Sequence, residues 1–402
     1  MPGVVVIGGG QAGASVVIKL RKIGFDGKIT LISDENALPY QRPPLSKGYL
    51  LGEISLERLF FRPQSYYDEN DINLMLGCKV NAINPENQTI DIGEDQLEYS
   101  NLVLATGSRP ILLPSSVGGN LNGVYSIRSL SDVDLMEPEF KCGKTVLVVG
   151  GGYIGLEAAA VAAKKGLRVI LVEMADRILK RVAASETSNY FRRLHKNNNV
   201  DLREGVGLKK LVGDERVSGA ILTDDQRINV DFVICGIGIK PNSDLAESSG
   251  LKVNNGIDTN IFGETSKSNI WAAGDCANLL FNGRRIRLES VQNAIDQAEI
   301  VAENILGASK EYNPKPWFWS DQYDTKLQIA GLNSGYDQII SRVENDECVS
   351  FWYYKKEELL AVDAMNDPRS YMIGKRLIEM SSSPPKQHVA NNSFNLKSLL
   401  KT

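Results

Sequence analysis

The pattern Gly-x-Gly-x-x-Gly occurs twice in this chain, each time between an apolar β-branched run and an alanine-rich stretch. The first copy, Gly8-Gly9-Gly10-Gln11-Ala12-Gly13, follows Val4-Val5-Val6-Ile7. The second, Gly150-Gly151-Gly152-Tyr153-Ile154-Gly155, follows Val146-Leu147-Val148-Val149. Each copy predicts a strand, a tight turn and a helix. Residues without a Cβ let the backbone turn, close on a pyrophosphate and pack the helix on the strand. The helix N-terminus then faces the anion. One copy is weak evidence, because glycine turns are common. Two copies 142 positions apart predict two dinucleotides held at once, and electrons passed between them.

A chain of 402 residues has room for two or three domains, each with its own core. Its formal net charge of −4 argues against free nucleic acid or an anionic membrane as a partner. No stretch approaches the ~20 apolar residues of a membrane span. The first strand begins within three residues of the start, which leaves no room for a signal peptide, so the expected location is cytoplasmic. Five cysteines, Cys78, Cys142, Cys235, Cys276 and Cys348, lie far apart with no Cys-x-x-Cys or Cys-x4-Cys. A disulfide reductase needs a close redox-active pair, so this chemistry is not expected. The two histidines have no nucleophile or metal-ligand neighbour: His195 reads as the exposed end of a helix and His388 as part of a polar tail. No metal site is expected.

Further along, the run Ile29-Thr30-Leu31-Ile32 ends in Ser33-Asp34-Glu35. Asp34 stands 21 positions after Gly13, where a ribose-binding carboxylate belongs, with Glu35 beside it. In the second unit Val169-Ile170-Leu171-Val172 ends in Glu173, 18 positions after Gly155. A carboxylate there accepts both ribose hydroxyls of NADH and repels the 2′-phosphate of NADPH. Arg177, four residues on, weakens that preference. Val80 to Ile92 alternates like a hairpin, and Leu102-Val103-Leu104-Ala105 reads as a buried strand. Ile270 to Ala273 is another strand; it ends in Gly274-Asp275, with Asp275 expected to open a helix. Past residue 313 aromatics cluster with strand-like alternation. The last ~20 residues are rich in Ser, Pro and Asn and read as a segment wandering over the surface.

The chain resembles the FAD-dependent NADH:ferredoxin reductases of bacterial oxygenase systems, the putidaredoxin reductase and rubredoxin reductase group. Beside the two fingerprints, the resemblance rests on Arg42-Pro43-Pro44-Leu45-Ser46-Lys47, Ala105-Thr106-Gly107-Ser108-Arg109-Pro110, Gly236-Ile237-Gly238 with Pro241-Asn242, Ala273-Gly274-Asp275-Cys276, and Trp317-Phe318-Trp319-Ser320-Asp321-Gln322. It implies an α/β fold: two Rossmann-like domains arranged as in glutathione reductase, plus a C-terminal α+β sheet domain. The implied boundaries are 1–110 with 243–312 for a discontinuous FAD-binding domain, 111–242 for an NADH-binding domain and 313–402 for the C-terminal domain.

The resemblance also implies site residues. FAD would lie along Gly8, Gly10, Ala12 and Gly13, with Asp34 and Glu35 on the ribose and Asp275, after Gly274, on a ribityl hydroxyl. Arg42, Lys47, Val80, Ala105, Thr106, Gly107, Arg128 and Val291 match other flavin-contacting positions. NADH would meet Gly150, Gly152, Tyr153, Ile154, Gly155, Glu157, Glu173, Gly236, Ile237 and Gly238. Lys47 is placed near the flavin N5 atom, and Glu157 matches a carboxylate that pairs with it; these two are the candidate catalytic residues. The implied reaction carries electrons from NADH through FAD to a [2Fe–2S] ferredoxin or a rubredoxin, with no nucleic-acid or membrane partner, in a monomer or homodimer. Arg62, Trp317 and Trp319 form the candidate docking face for that carrier. Glu299 departs from the family, which often carries a basic residue in that helix. A monodehydroascorbate reductase or a flavoprotein like apoptosis-inducing factor would use the same cofactors. NADH oxidases and coenzyme-A disulfide reductases need a cysteine in the 35–50 region, where this chain has none.

Overall fold

The computed structural model describes residues 2–400. The chain divides into two compact units. The first comprises the residues up to Arg42, Ser55–Arg109 and Ile239–Pro316; the second comprises Pro43–Ile54, Pro110–Gly238 and the chain from Trp317 onward.

The first unit is built on a parallel sheet in the spatial order Ile72–Met75, Ile29–Ile32, Gly3–Ile7, Asp95–Leu104, Ile270–Ala272. Gly3–Ile7 and Ile29–Ile32 are buried at every position, as strands covered on both faces must be. One face packs on the helices Gln11–Lys22 and Val291–Ile305 through Val16, Val17, Leu20, Ala298, Val301 and Ala302. The long strand Asp95–Leu104 also runs antiparallel to Thr89–Ile92, which pairs in turn with Val80–Asn84, the hairpin expected from the alternation.

Beside a small antiparallel sheet of Leu208–Val212, Gly219–Leu222 and Arg227–Asn229, the second unit carries two larger sheets. One is parallel, in the order Asp201–Glu204, Arg168–Glu173, Thr145–Val149, Phe232–Cys235, Val124–Tyr125, with the helix Tyr153–Lys164 following its central strand. The other is a five-stranded antiparallel sheet in the order Trp317–Gln322, Thr325–Gly331, Glu358–Met365, Val349–Lys355, Gln338–Val343. The helix Pro368–Glu379 packs on it through Ile373 and Leu377, against Trp352 and Val362.

Three expectations change here. The C-terminal segment up to residue 400 does not wander: Val389 and Leu396 are buried in the core of the antiparallel sheet. The Arg342 guanidinium donates to the carbonyls of Val389, Asn391, Asn392 and Phe394, so one buried cation anchors a segment with few apolar residues. His195 is fully buried rather than exposed. Its helix, Ser185–Asn197, presents it to Gln322 of the antiparallel sheet, a partner 127 positions away in sequence. Asp275 lies in a turn that leads into the strand Ala277–Phe281, not at the start of a helix.

Candidate functional site

Both glycine fingerprints adopt the same geometry. Gly8 and Gly150 have φ of +118° and +107°, a region that disfavours any side chain. A Cβ on Gly8 would stand 2.1 Å from the Ala105 carbonyl oxygen, and one on Gly150 would stand 2.4 Å from that of Gly236. Gly13 and Gly155 let each helix close on its own turn, a Cβ meeting the carbonyl of Gly8 or Gly150 at 1.9 or 2.0 Å. The middle glycines differ. A Cβ on Gly10 or Gly152 would meet nothing within 4 Å. These two are the N-caps of Gln11–Lys22 and Tyr153–Lys164, helices with no side-chain cap and no acidic residue in the first turn. Each is a bare helix N-terminus behind a side-chain-free surface, the requirement for a pyrophosphate. On this observation both sites fit a dinucleotide.

The carboxylates at the strand ends behave differently. Glu173 accepts from the Gly151 N–H at 2.7 Å and the Ala175 N–H at 2.8 Å, which fixes the group beside the second fingerprint. Arg177 donates to the Ser188 hydroxyl at 2.6 Å and is thereby held in place. At the first fingerprint Asp34 is exposed. Glu35 is half-buried and engaged: it accepts from the Tyr40 hydroxyl at 2.5 Å and pairs with the Arg42 guanidinium. Burial alone would lower the Arg42 pKa, but Tyr40, Glu35 and Asp275 outweigh it and hold the guanidinium above its ordinary value.

Other expected FAD residues cluster in the first unit. Ser108 donates to Asp275 at 2.8 Å. The Thr106 hydroxyl donates to the Asn242 carbonyl at 2.6 Å, and the Asn242 amide returns a bond to the Thr106 carbonyl at 2.8 Å. Gly107 and Gly274 take positive φ in the turns that end their strands. A Cβ on Gly274 would stand 2.9 Å from that of Ala12, so this turn packs directly on the first fingerprint helix. Val80 is buried in the core of the unit, and Val291 opens its helix half-buried. Arg128 belongs to the second unit, beside the N-cap of Leu130–Met136. Gly236, Ile237 and Gly238 follow the buried strand Phe232–Cys235 of the same unit, Ile237 exposed.

Lys47 and Glu157 meet in the second unit. The Lys47 Nζ stands 2.9 Å from Glu157 Oε2, and Glu157 is 2 % exposed. At that distance and an effective dielectric near 20 the pair is worth about 6 kcal/mol before desolvation. Desolvating a buried carboxylate costs several kcal/mol and nearly cancels this. Two hydroxyls tip the balance: Ser46 donates to Oε2 at 2.7 Å and Ser320 to Oε1 at 2.6 Å. Sequence reasoning passed over both serines although each lies inside a quoted motif. A serine next to the lysine, and one directly after a tryptophan, carries no signal of its own.

The docking candidates belong to different units. Arg62 is exposed, lies over the Tyr66 ring at 5.3 Å and belongs to the first. Trp317 and Trp319 are half-buried on one face of a strand in the second, ring centroids 5.6 Å apart, with the Lys375 ammonium 5.1 Å from the Trp317 ring. Glu299 pairs with Lys19 at 3.0 Å. All five cysteines are free thiols. Among the described residues no group of three His, Cys, Asp or Glu side chains is placed to hold a metal ion, and no helix is long and apolar enough to cross a membrane.

Two bare dinucleotide cradles, each on its own parallel sheet, define an oxidoreductase that uses FAD and NAD(P)H. The chain belongs to the pyridine nucleotide-disulphide oxidoreductase family, whose model matches residues 2–298, and a reductase C-terminal model matches residues 317–400. It is 40% identical over 399 residues to a rhodocoxin reductase of Rhodococcus erythropolis, covering 98% of this chain and 93% of that one. It is 40% identical over 385 residues to a ferredoxin–NAD(P)(+) reductase of a Sphingomonas species, covering 94% of this chain and 92% of that one. A solved covalent complex of putidaredoxin reductase with putidaredoxin matches the structure with a TM-score of 0.96 and 37% identity, over 100% of this chain and 98% of that one.

Proposed function

We propose that this protein oxidises NADH and passes the electrons through FAD, one at a time, to a small iron–sulfur carrier, a [2Fe–2S] ferredoxin or a rubredoxin, that feeds an oxygenase. The observation that carries this reading is the pair of matching cradles in a chain without a close cysteine pair: two dinucleotides and no disulfide relay. The similarity to reductases named for ferredoxin-type carriers supports the choice of acceptor.

FAD when bound supplies the chemistry, taking two electrons as hydride and releasing them singly. The chain binds and tunes. Gly8, Gly10, Ala12 and Gly13 hold the FAD pyrophosphate at the first helix N-terminus. Glu35, oriented by Arg42 and Tyr40, is the better-placed ribose ligand, with Asp34 outside it. Asp275, fixed by Ser108, takes a ribityl hydroxyl. Gly150, Gly152, Tyr153, Ile154 and Gly155 hold the nicotinamide dinucleotide, and Glu173 selects NADH over NADPH because its carboxylate repels a 2′-phosphate. Lys47, oriented by Glu157, would offer a fixed positive charge to the bound flavin. Trp317 and Trp319 offer aromatic surface to the carrier, and Arg62 a charge that attracts an acidic one.

The test is a panel assay. Purified FAD-loaded protein and NADH are mixed with cytochrome c as reporter, and ferredoxins and rubredoxins are added one at a time. Cytochrome c reduction should depend on at least one iron–sulfur carrier and be slow without it. Equal turnover with and without every carrier would overturn the assignment.

A further inference from the structure

The Lys47–Glu157 pair is the inner end of a buried chain of hydrogen bonds that runs across the second unit. Ser320 donates to Glu157 Oε1 at 2.6 Å, Gln322 Nε2 stands 3.2 Å from the Ser320 oxygen, and His195 Nε2 stands 2.8 Å from Gln322 Oε1. The far end is Tyr323, whose hydroxyl stands 3.3 Å from His195 Nδ1. Ser320, Gln322 and His195 are each at most 1 % exposed. Ser320 and Gln322 share one face of a single strand; His195 reaches them from the helix Ser185–Asn197 and Glu157 from the helix Tyr153–Lys164.

The direction of every link follows from the charge at the inner end. A carboxylate paired with Lys47 only accepts, so the single Ser320 proton is committed to it. Ser320 must then accept from Gln322, which settles the amide orientation and turns Oε1 toward His195. A carbonyl oxygen only accepts, so the imidazole carries its proton on Nε2, and Nδ1 is left to accept from Tyr323. Burial holds the imidazole neutral, with its pKa lowered to about 4, and pushes the Tyr323 phenol up, so both keep the protons these roles need. Tyr323 sits in the two-residue turn between Gln322 and Thr325 with φ of +54°, a conformation that a bulky side chain takes only under constraint. The groups facing Glu157 are Ser46 and Lys47 from the loop before Gly48–Leu51, and Ser320 from the strand.

We propose that Ser320, Gln322 and His195 are positioning residues: a one-directional hydrogen-bond chain that occupies Glu157 Oε1 and so keeps Oε2 turned to Lys47. The proposal rests on the reading that Lys47 serves the flavin. Nothing in the chain touches substrate; its effect reaches the reaction through the orientation of one carboxylate.

The chain contains only two histidines, so a nitrogen-15 imidazole spectrum of the FAD-loaded protein holds two ring systems, and His388→Asn assigns them. His195 should show the Nε2–H tautomer and stay neutral between pH 5.5 and 8. Ser320→Ala frees the Gln322 amide to flip, and the tautomer should become mixed; Ser320→Thr, which keeps the hydroxyl, should restore it. In anaerobic stopped flow, Ser320→Ala and Gln322→Met should slow flavin reduction by NADH by ~3- to 10-fold at saturation, with the half-saturating NADH concentration unchanged. Bound flavin per chain reports folding in each variant. An Nδ1–H tautomer or an ordinary titration of His195 overturns the chain. So does a wild-type rate in Ser320→Ala when Lys47→Ala is slow. If Lys47→Ala is itself silent, the role of the pair at the flavin falls, and the chain then stands or falls on the imidazole spectrum alone.

Discussion

The carboxylate of Glu173 is held by two backbone N–H groups, and the Arg177 guanidinium is tied to the Ser188 hydroxyl. A 2′-phosphate brought to this place meets the negative charge of Glu173. NADH should therefore exceed NADPH in kcat/KM by at least about tenfold, which needs only ~1.4 kcal/mol. Glu173→Arg should narrow or invert the ratio; a wild type that prefers NADPH would refute the assignment. Lys47 and Trp319 make a second contrast. Lys47→Ala leaves Glu157 buried without its cation and should slow anaerobic flavin reduction by NADH by ~10- to 100-fold. Trp319→Ala should leave that step near the wild-type rate and instead reduce turnover with the iron–sulfur carrier, loss of an aromatic anchor typically costing ~2 kcal/mol. Ferricyanide, which needs no docking face, should be reduced normally by Trp319→Ala. Equal slowing of both half-reactions would make the tryptophan a packing residue.

At the scale of the element, the two fingerprint turns separate positions that shape the backbone from positions that leave room for a ligand. Gly8→Ala must push a methyl against the Ala105 carbonyl at 2.1 Å in a strained φ region, so it should distort the turn and lower stability by ~2 kcal/mol or more. Gly10→Ala meets open space and should fold with nearly unchanged thermal stability in the apoprotein. It should lose FAD affinity, because its methyl stands where the pyrophosphate must approach. Flavin release titrations on both variants, beside apoprotein melting curves, distinguish the two; equal flavin affinity in Gly10→Ala and wild type would place the pyrophosphate elsewhere. These turns were legible from sequence because strand, turn and helix follow within a dozen residues and the last glycine of each, Gly13 or Gly155, answers to the carbonyl of the first. The turn after Gly274 was half legible: the strand before it was clear, but the chain goes on into the strand Ala277–Phe281, which pairs with Ile257–Asp258 and Arg284–Ile286, instead of a helix.

Across the second unit, two buried titratable groups set opposite responses to acid. The His195 pKa falls from 6.5 to about 4 in the fold because burial penalises the charged imidazole. Between those values the unfolded chain binds a proton that the folded one refuses, so stability drops as pH falls through that window, by up to ~3 kcal/mol. Asp363 is buried against the Thr187 and Tyr353 hydroxyls, and burial raises its pKa from 3.8 to about 6. Here the folded chain binds the extra proton, and stability rises as pH falls from 6 toward 4. Melting temperatures from pH 7 to 4 should therefore fall less steeply in His195→Gln than in wild type, and more steeply in Asp363→Asn; parallel curves for all three would show that neither group titrates as placed. Local order in the sequence determined the two cradles, the parallel sheets they open and the carboxylates at their strand ends, because glycine spacing and β-branched runs act over a few neighbouring residues. Only the tertiary structure decided the rest. It buried His195, anchored the polar C-terminal segment on Arg342, chose Glu35 over Asp34 for engagement, and brought Ser46, Ser320 and Lys47 to one carboxylate. Those outcomes depend on partners 47 or more positions away, or on which side of a strand end faces inward, and composition and local periodicity are silent on both.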